Sequence, residues 1–189
     1  MAHKEQISYI NAVKTKFPDY FINQKVLGIG TFNVCGTEDE YFTDCDYSGL
    51  DLGPGPGVDI ICPAQDYDAP DSTFDIIISC ECFEHNPFYK ETLQNAYRML
   101  KSGGMLLFTC ATTGRPVHGT LSLEEESKQK FSNWKTMPNV VRENWDNEYY
   151  LNLEESDIRQ CLDIDTLFSD YEFEVEANHC DLYFWGLKK

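Results

Sequence analysis

Phe74-Asp75-Ile76-Ile77-Ile78-Ser79-Cys80, a helical stretch from Phe88 to Leu100, and then Ser102-Gly103-Gly104 ahead of Met105-Leu106-Leu107-Phe108-Thr109-Cys110 decide the fold. The isoleucine run is β-branched and strand length, and its unbroken apolarity predicts burial on both faces of a sheet. Asn86 is a helix-capping residue type, and Pro87 suits a first helical position because its missing N–H is not needed there. Leu93, Ala96, Tyr97 and Leu100 recur on one helical face. Two glycines stop the helix before the second apolar run. Parallel strand neighbours need a crossover connection, so strand, helix and strand in this order predict a parallel sheet.

Upstream, Lys25 to Gly30 is a short buried strand ending in a glycine turn, and Tyr47 to Leu52 is a second strand. Gly53-Pro54-Gly55-Pro56-Gly57 can continue neither helix nor strand, so a tight loop leads into a third strand, Val58 to Cys62. Ile7, Ile10, Val13 and Phe17 predict an amphipathic leading helix over 3–16, ended by Pro18, and Glu38 to Phe42 is a weak helical segment. Downstream, Ile158, Cys161, Leu162 and Leu167 predict a helix from Glu154 to Phe168, and Tyr171–Val175 with Asp181–Leu187 predict an antiparallel pair. The expected architecture is α/β: a Rossmann-like three-layer sandwich, with a mostly parallel seven-stranded sheet and an antiparallel C-terminal strand pair, in one domain over 1–189. Residues 112–150 lack strong periodicity, and a segment of that length predicts a lid or substrate loop.

Fifteen Lys plus Arg against 32 Asp plus Glu leave a net charge of −17. Without clustered cations to neutralise phosphates, a nucleic-acid partner is excluded, and polyanionic substrates are repelled. No apolar run approaches the roughly 20 residues of a membrane span, and Met1 to Gln6 shows no secretory pattern. A cytoplasmic protein with a small-molecule substrate is expected, its oligomeric state left open. The eight cysteines include no Cys-x-x-Cys pair, so buried thiols are expected and no metal.

Gly28-x-Gly30 after a buried strand lets backbone approach a nucleotide, but Gly36 comes six positions after Gly30, and the dinucleotide spacing is not met. Asp51, ending the second strand 23 residues after Gly28, is placed to accept hydrogen bonds from ribose hydroxyls. Asp51 equally suits a nicotinamide cofactor, so an oxidoreductase remains open, as does a catalytically silent binding module. Glu84-His85 lies just past the fourth strand, on the edge where open α/β sheets bind ligands. His118, in Gly114-Arg115-Pro116-Val117-His118-Gly119-Thr120, follows the fifth strand on the same edge. Both histidines are candidate bases, since imidazole titrates near neutral pH. Arg115 either clamps a substrate anion or pairs with one of the acidic residues. Glu84 and Tyr150 complete the candidate substrate contacts, with Trp145 and Tyr149 as pocket cover or packing.

Phe74-Asp75-Ile76 through Glu84-His85, followed by Arg98-Met99-Leu100-Lys101-Ser102-Gly103-Gly104, resembles the class I S-adenosylmethionine-dependent methyltransferases, whose members carry an "FDxVxxxxxxEH" segment and an "R-x-L-K-x-G-G" stretch. The resemblance runs from Val26 to Ala111. It implies S-adenosyl-L-methionine as cofactor and methyl transfer to a small-molecule acceptor. Gly28 and Gly30 would pass beneath its methionine part, Asp51 would hold the ribose and Leu52 would lie against the adenine. Ala64, Gln65 and Asp66 would line the adenine edge, and Ser79, Cys80 and Glu81 would border the methyl group. Two departures stand out. Gly28 replaces an acidic residue, so the methionine amino group needs another partner, and Pro63 replaces the acid that contacts the adenine amine, leaving Gln65 or Asp66 to substitute.

Overall fold

The computed structural model describes residues 3–33, 38–130 and 146–189. Gly36, Trp145 and the middle of the 112–150 segment lie outside the described residues.

Seven strands form one sheet in the order β3-β2-β1-β4-β5-β7-β6: β1 (Lys25–Ile29), β2 (Asp46–Asp51), β3 (Ile60–Ile61), β4 (Phe74–Cys80), β5 (Leu100–Ala111), β6 (Phe168–Glu176) and β7 (Asp181–Lys188). The first five pair in parallel, while β7 runs antiparallel to both β5 and β6. Alternation along each strand divides the apolar residues between two cores. On one face, Leu27, Ile77, Leu106 and Phe108 pack against Leu93, Ala96 and Met99 of α2 (Tyr89–Met99). Ile158 of α4 (Glu155–Cys161) and Ile164 of α5 (Ile164–Leu167) join that face. On the other, Val26, Ile76, Ile78, Leu107, Tyr183 and Trp185 meet Tyr9, Ile10 and Val13 of α1 (Lys4–Lys16). Leu93 is fully buried, and truncating such a side chain to alanine costs about 2–5 kcal/mol.

Arg98 explains the Arg-x-Leu-Lys stretch in physical terms. Its guanidinium donates to the Ala69 carbonyl at 2.7 Å and pairs with Asp71 at 2.6 Å, while Asn95 donates to the carbonyls of Ala64 and Tyr67. The loop before β4 is thereby tied to α2. Asp75 accepts from the Lys25 backbone at 3.0 Å and pairs with Lys101 at 2.7 Å, clasping the entries of β1, β4 and β5.

Several boundaries differ from the sequence expectation. The third strand shrinks from Val58–Cys62 to Ile60–Ile61, because Asp59 turns its carboxylate back to the Gly49 backbone. The expected helix over Glu154–Phe168 splits into α4 and α5, because Leu162 is extended and Asp163 caps a new helix through the Thr166 backbone. α2 begins at Tyr89 rather than Phe88, with the Asn86 side chain accepting from the Phe88 backbone. β5 starts at Leu100 instead of Met105, and the Phe74–Ile76 register shift lets Gly103, at φ 78°, turn within it.

Candidate functional site

The sheet order reverses at β1 and β4, which are neighbours while β2 and β5 lie on opposite sides. At such a switch point the loops beyond the strand ends diverge and leave a crevice. Gly30 ends β1 at φ 78°, and a Cβ there would lie 2.5 Å from the Cys82 sulfur. Only glycine lets the β1 turn close against the segment after β4. Asp51, ending β2, accepts from the Phe32 backbone at 3.1 Å and the Leu52 backbone at 2.7 Å, which fixes its carboxylate between the two loops. Beyond β3, the Ala64–Asp66 turn buries the Gln65 Oε1 atom without a hydrogen-bond partner. Ser79 is fully buried and donates to the Ile29 carbonyl at 3.0 Å, so it braces β1 on β4.

A Cβ on Gly28 would lie 2.1 Å from the Tyr47 hydroxyl oxygen. The space an acidic side chain would take is filled from the neighbouring strand. Tyr47 donates to Glu38 at 3.1 Å, in the turn Glu38–Tyr41. Burial pushes the Glu38 carboxyl up to about 7, against the opposing effect of its hydrogen bonds with Tyr47 and Cys80. Burial also pushes the Cys80 thiol up, with the Glu38 charge adding to it. A cavity of about 230 Å³ lies here, lined by Thr31, Glu38, Asp39, Tyr47, Gly57 and Asp59.

A second group of polar side chains lies past the ends of β4 and β5. His85, His118 and Tyr150 form a cage, with ring centroids 5.0 Å apart for His85–His118, 5.4 Å for His85–Tyr150 and 5.0 Å for His118–Tyr150. Glu84 is fully buried beneath it, both carboxylate oxygens without a hydrogen-bond partner, the nearer one 4.0 Å from His85 Nε2. Burial drives the Glu84 carboxyl well above its ordinary value, and Glu81 adds to the effect. Burial pushes His85 down to about 3 and lowers His118 as well. The stretch after Tyr150 is tied to this group through backbone bonds: Leu151 donates to the Glu84 carbonyl at 2.9 Å, and Leu153 to that of Ala111 at 2.9 Å.

Arg115 reaches Asp181 at 2.9 Å and the His179 carbonyl at 2.8 Å, with Glu81 at 3.7 Å. Its charge is taken by the protein's own acids, the second of the two roles its sequence context left open. Asp181 is fully buried and also meets His3 at 2.6 Å.

Residues 45–108, a third of the chain, match the family model of a methyltransferase domain. Solved structures similar to the whole fold include phosphoethanolamine N-methyltransferase 2 of Haemonchus contortus in complex with S-adenosyl-L-methionine. It has 17% identity and a TM-score of 0.62, over 96% of this chain and 52% of that one. A second structure of that enzyme, with phosphomonomethylethanolamine and S-adenosylhomocysteine, has 17% identity and a TM-score of 0.61, over 96% of this chain and 53% of that one. The 1,6-didemethyltoxoflavin-N1-methyltransferase of Burkholderia thailandensis, with bound 1,6-didemethyltoxoflavin and S-adenosylhomocysteine, has 14% identity and a TM-score of 0.57, over 100% of this chain and 92% of that one. The chain has the class I S-adenosylmethionine-dependent methyltransferase fold. It spans about half the length of the Haemonchus enzyme. No curated protein matches it by sequence.

Within the class I frame, the sequence-derived residues fall into two neighbourhoods. Gly28, Gly30, Asp51, Leu52, Ala64, Gln65, Asp66, Ser79 and Cys80 lie at or beside the ends of β1 to β4. Glu81, Glu84, His85, Arg115, His118 and Tyr150 lie past β4 and β5 or in the segment that returns beside them. Glu38, Tyr47, His3 and Asp181 escaped the sequence reading. A Gly28 that vacates an acid position was the only signal for the first two. Nothing local marked His3 and Asp181, whose meeting depends on the first helix docking beside the last strand.

Proposed function

We propose that this chain binds S-adenosyl-L-methionine and transfers its methyl group to a small-molecule acceptor. The observation that carries this reading is the Asp51 carboxylate, fixed at the end of β2 beside the Gly30 turn at the switch point. Two features of the crevice fit the cofactor. Gln65 Oε1 is a buried acceptor without a partner, suited to the adenine amine that Pro63 cannot serve. Glu38, buried behind Gly28, returns a carboxyl to the region where the family's acid is missing. When bound, the sulfonium supplies an electrophilic methyl carbon for in-line displacement.

In this reading Asp51 holds the ribose diol, since a carboxylate can accept from both hydroxyls. Leu52 and Ala64 present apolar surface to the adenine, with Gln65 and Asp66 at its polar edge. Gly28 and Gly30 keep side chains out of the path of the methionine part, and Ser79, Cys80 and Glu81 border the reacting end. The acceptor enters past β4, between Glu84, His85, His118, Arg115 and Tyr150. His118 is the better placed base. Its Nδ1 lies 3.1 Å from the Pro116 carbonyl, and a proton held there leaves the Nε2 lone pair to accept one from the acceptor. His85, held near 3, is far weaker in that role. A net charge of −17 favours neutral or cationic acceptors. The free state of all seven described cysteines supports a reducing, cytoplasmic setting.

Calorimetric titration of the wild type and Asp51→Ala with S-adenosylhomocysteine, and of the wild type with NAD, tests the reading. Charge-assisted hydrogen bonds contribute about 1.5–3 kcal/mol each, so losing Asp51 should weaken binding at least tenfold. Equal affinity in the two proteins, or preference for NAD, overturns it.

A further inference from the structure

We propose that Glu84, His85 and His118 form a site for one divalent first-row transition-metal cation. Each offers one ligand atom, and the three atoms lie within 4.8 Å of one another. Bonds of about 2.0–2.2 Å to imidazole nitrogen and carboxylate oxygen put two ligands of one ion at most about 4.4 Å apart, so small side-chain adjustments suffice to close the set.

The decisive observation is Glu84. It is fully buried, neither oxygen has a hydrogen-bond partner among the described residues, and His85 Nε2 lies 4.0 Å from one of them. The Glu81 side chain is also buried, with Arg115 at 3.7 Å. A buried carboxyl lacking both a cation and a donor is costly unless a proton or metal joins it. Glu84 faces the two imidazoles, with all three ligand atoms within 4.8 Å of one another. His118 bonds to the Pro116 carbonyl through Nδ1, the outer contact that fixes a metal-ligating histidine and turns its Nε2 lone pair outward. Gly119 presses its backbone against the His85 ring, since a Cβ there would lie 2.8 Å from Cε1. Leu151 holds the Glu84 backbone through its N–H.

Two other groups have matching residue types, His3–Glu5–His179 and His3–Glu81–Asp181. In both, the histidines already lie against carboxylates of the chain. Glu5 meets both histidines at 3.2 Å, and Asp181 meets His3 at 2.6 Å and Arg115 at 2.9 Å. Two imidazoles and one carboxylate, with positions left over for water or ligand, favour Mn²⁺, Fe²⁺, Co²⁺ or Zn²⁺ over Mg²⁺ and Ca²⁺, which prefer all-oxygen shells. The absence of Cys-x-x-Cys spacing hid this site in the sequence, because its donors are adjacent residues and a loop histidine 33 positions on. The site stands whether or not the chain transfers methyl groups. Should both hold, an acceptor hydroxyl on the ion would lose its proton more readily, and His118 would serve as ligand rather than base.

The test uses the full chain, stripped with chelator and titrated with Mn²⁺, Co²⁺ and Mg²⁺ by calorimetry and, for Co²⁺, by visible absorption. One Mn²⁺ or Co²⁺ per chain is expected, at least tenfold tighter than Mg²⁺, with d–d bands that include nitrogen ligation. Glu84→Gln and His118→Ala should each weaken Co²⁺ binding at least tenfold, while His179→Ala leaves it unchanged. His118 sits in a loop, so its variant reports even if a change at the buried Glu84 disturbs folding. No binding by the wild type, or wild-type affinity in the His118 variant, overturns the proposal. Failure to bind S-adenosylhomocysteine in the metal-free protein would instead strike the methyltransferase reading alone.

Discussion

Replacing Glu38 by glutamine isolates the carboxyl that lies behind Gly28. Glutamine keeps the size and can still accept from the Tyr47 hydroxyl, which donates to Glu38 at 3.1 Å. In the folded chain burial holds the carboxyl near 7, against 4.5 for an ordinary glutamate. The folded state therefore binds that proton more tightly than the unfolded chain. The resulting stability is fully present below pH 4.5, falls as the pH rises towards 7, and stays lost above. At 1.36 kcal/mol per pH unit of difference, the loss is about 3 kcal/mol. Glutamine has no proton to lose, and all other titrating groups are common to the two proteins. Urea denaturation at pH 4.5, 6 and 8 should show the variant gaining about 3 kcal/mol over the wild type across that range. Parallel stability curves would refute the reasoning, because Glu38 would then be charged in the folded state at no cost.

Three further outcomes follow from the same geometry. Gly30→Ala meets both a φ of 78° and a sulfur 2.5 Å from the new methyl, so thermal denaturation should show a loss of at least about 1–3 kcal/mol, only partly recovered by adding Cys82→Gly. Arg115→Met leaves the buried Asp181 with His3 as its remaining partner. Breaking a buried pair costs about 3–5 kcal/mol, so urea unfolding should register a loss near the lower end. His118→Ala should lower turnover about 10²-fold or more while leaving S-adenosylhomocysteine affinity intact, as expected of a group acting on the acceptor.

The frame of this fold was legible because it rests on periodicity. Ile76–Ile78 and Leu106–Phe108 read as buried strands, and α2 announced itself through Leu93 and Ala96, since burial on a sheet writes its period into the chain. The positions of Asp51 and Gly30 were legible for a related reason: a strand end and a turn fix where they stand. Boundaries decided by one side chain were not. Asp59 turning back to Gly49 shortens β3, and Asp163 capping through Thr166 divides one expected helix into α4 and α5. Contacts between distant segments left even less trace. Tyr47 fills the space beside Gly28 from a neighbouring strand, and His3 finds Asp181 only once α1 lies on the sheet. Arg115 carried the chemistry of an anion clamp in its sequence, and only the fold reveals that Asp181 and the His179 carbonyl engage it.

A crystal structure of the full chain with S-adenosylhomocysteine tests the central claim most directly. The account predicts both ribose hydroxyls within hydrogen-bond distance of the Asp51 carboxylate, the adenine amine near Gln65, and the sulfur facing the end of β4. A nucleoside bound elsewhere, or a crevice between the ends of β1 and β4 that admits none, would contradict it.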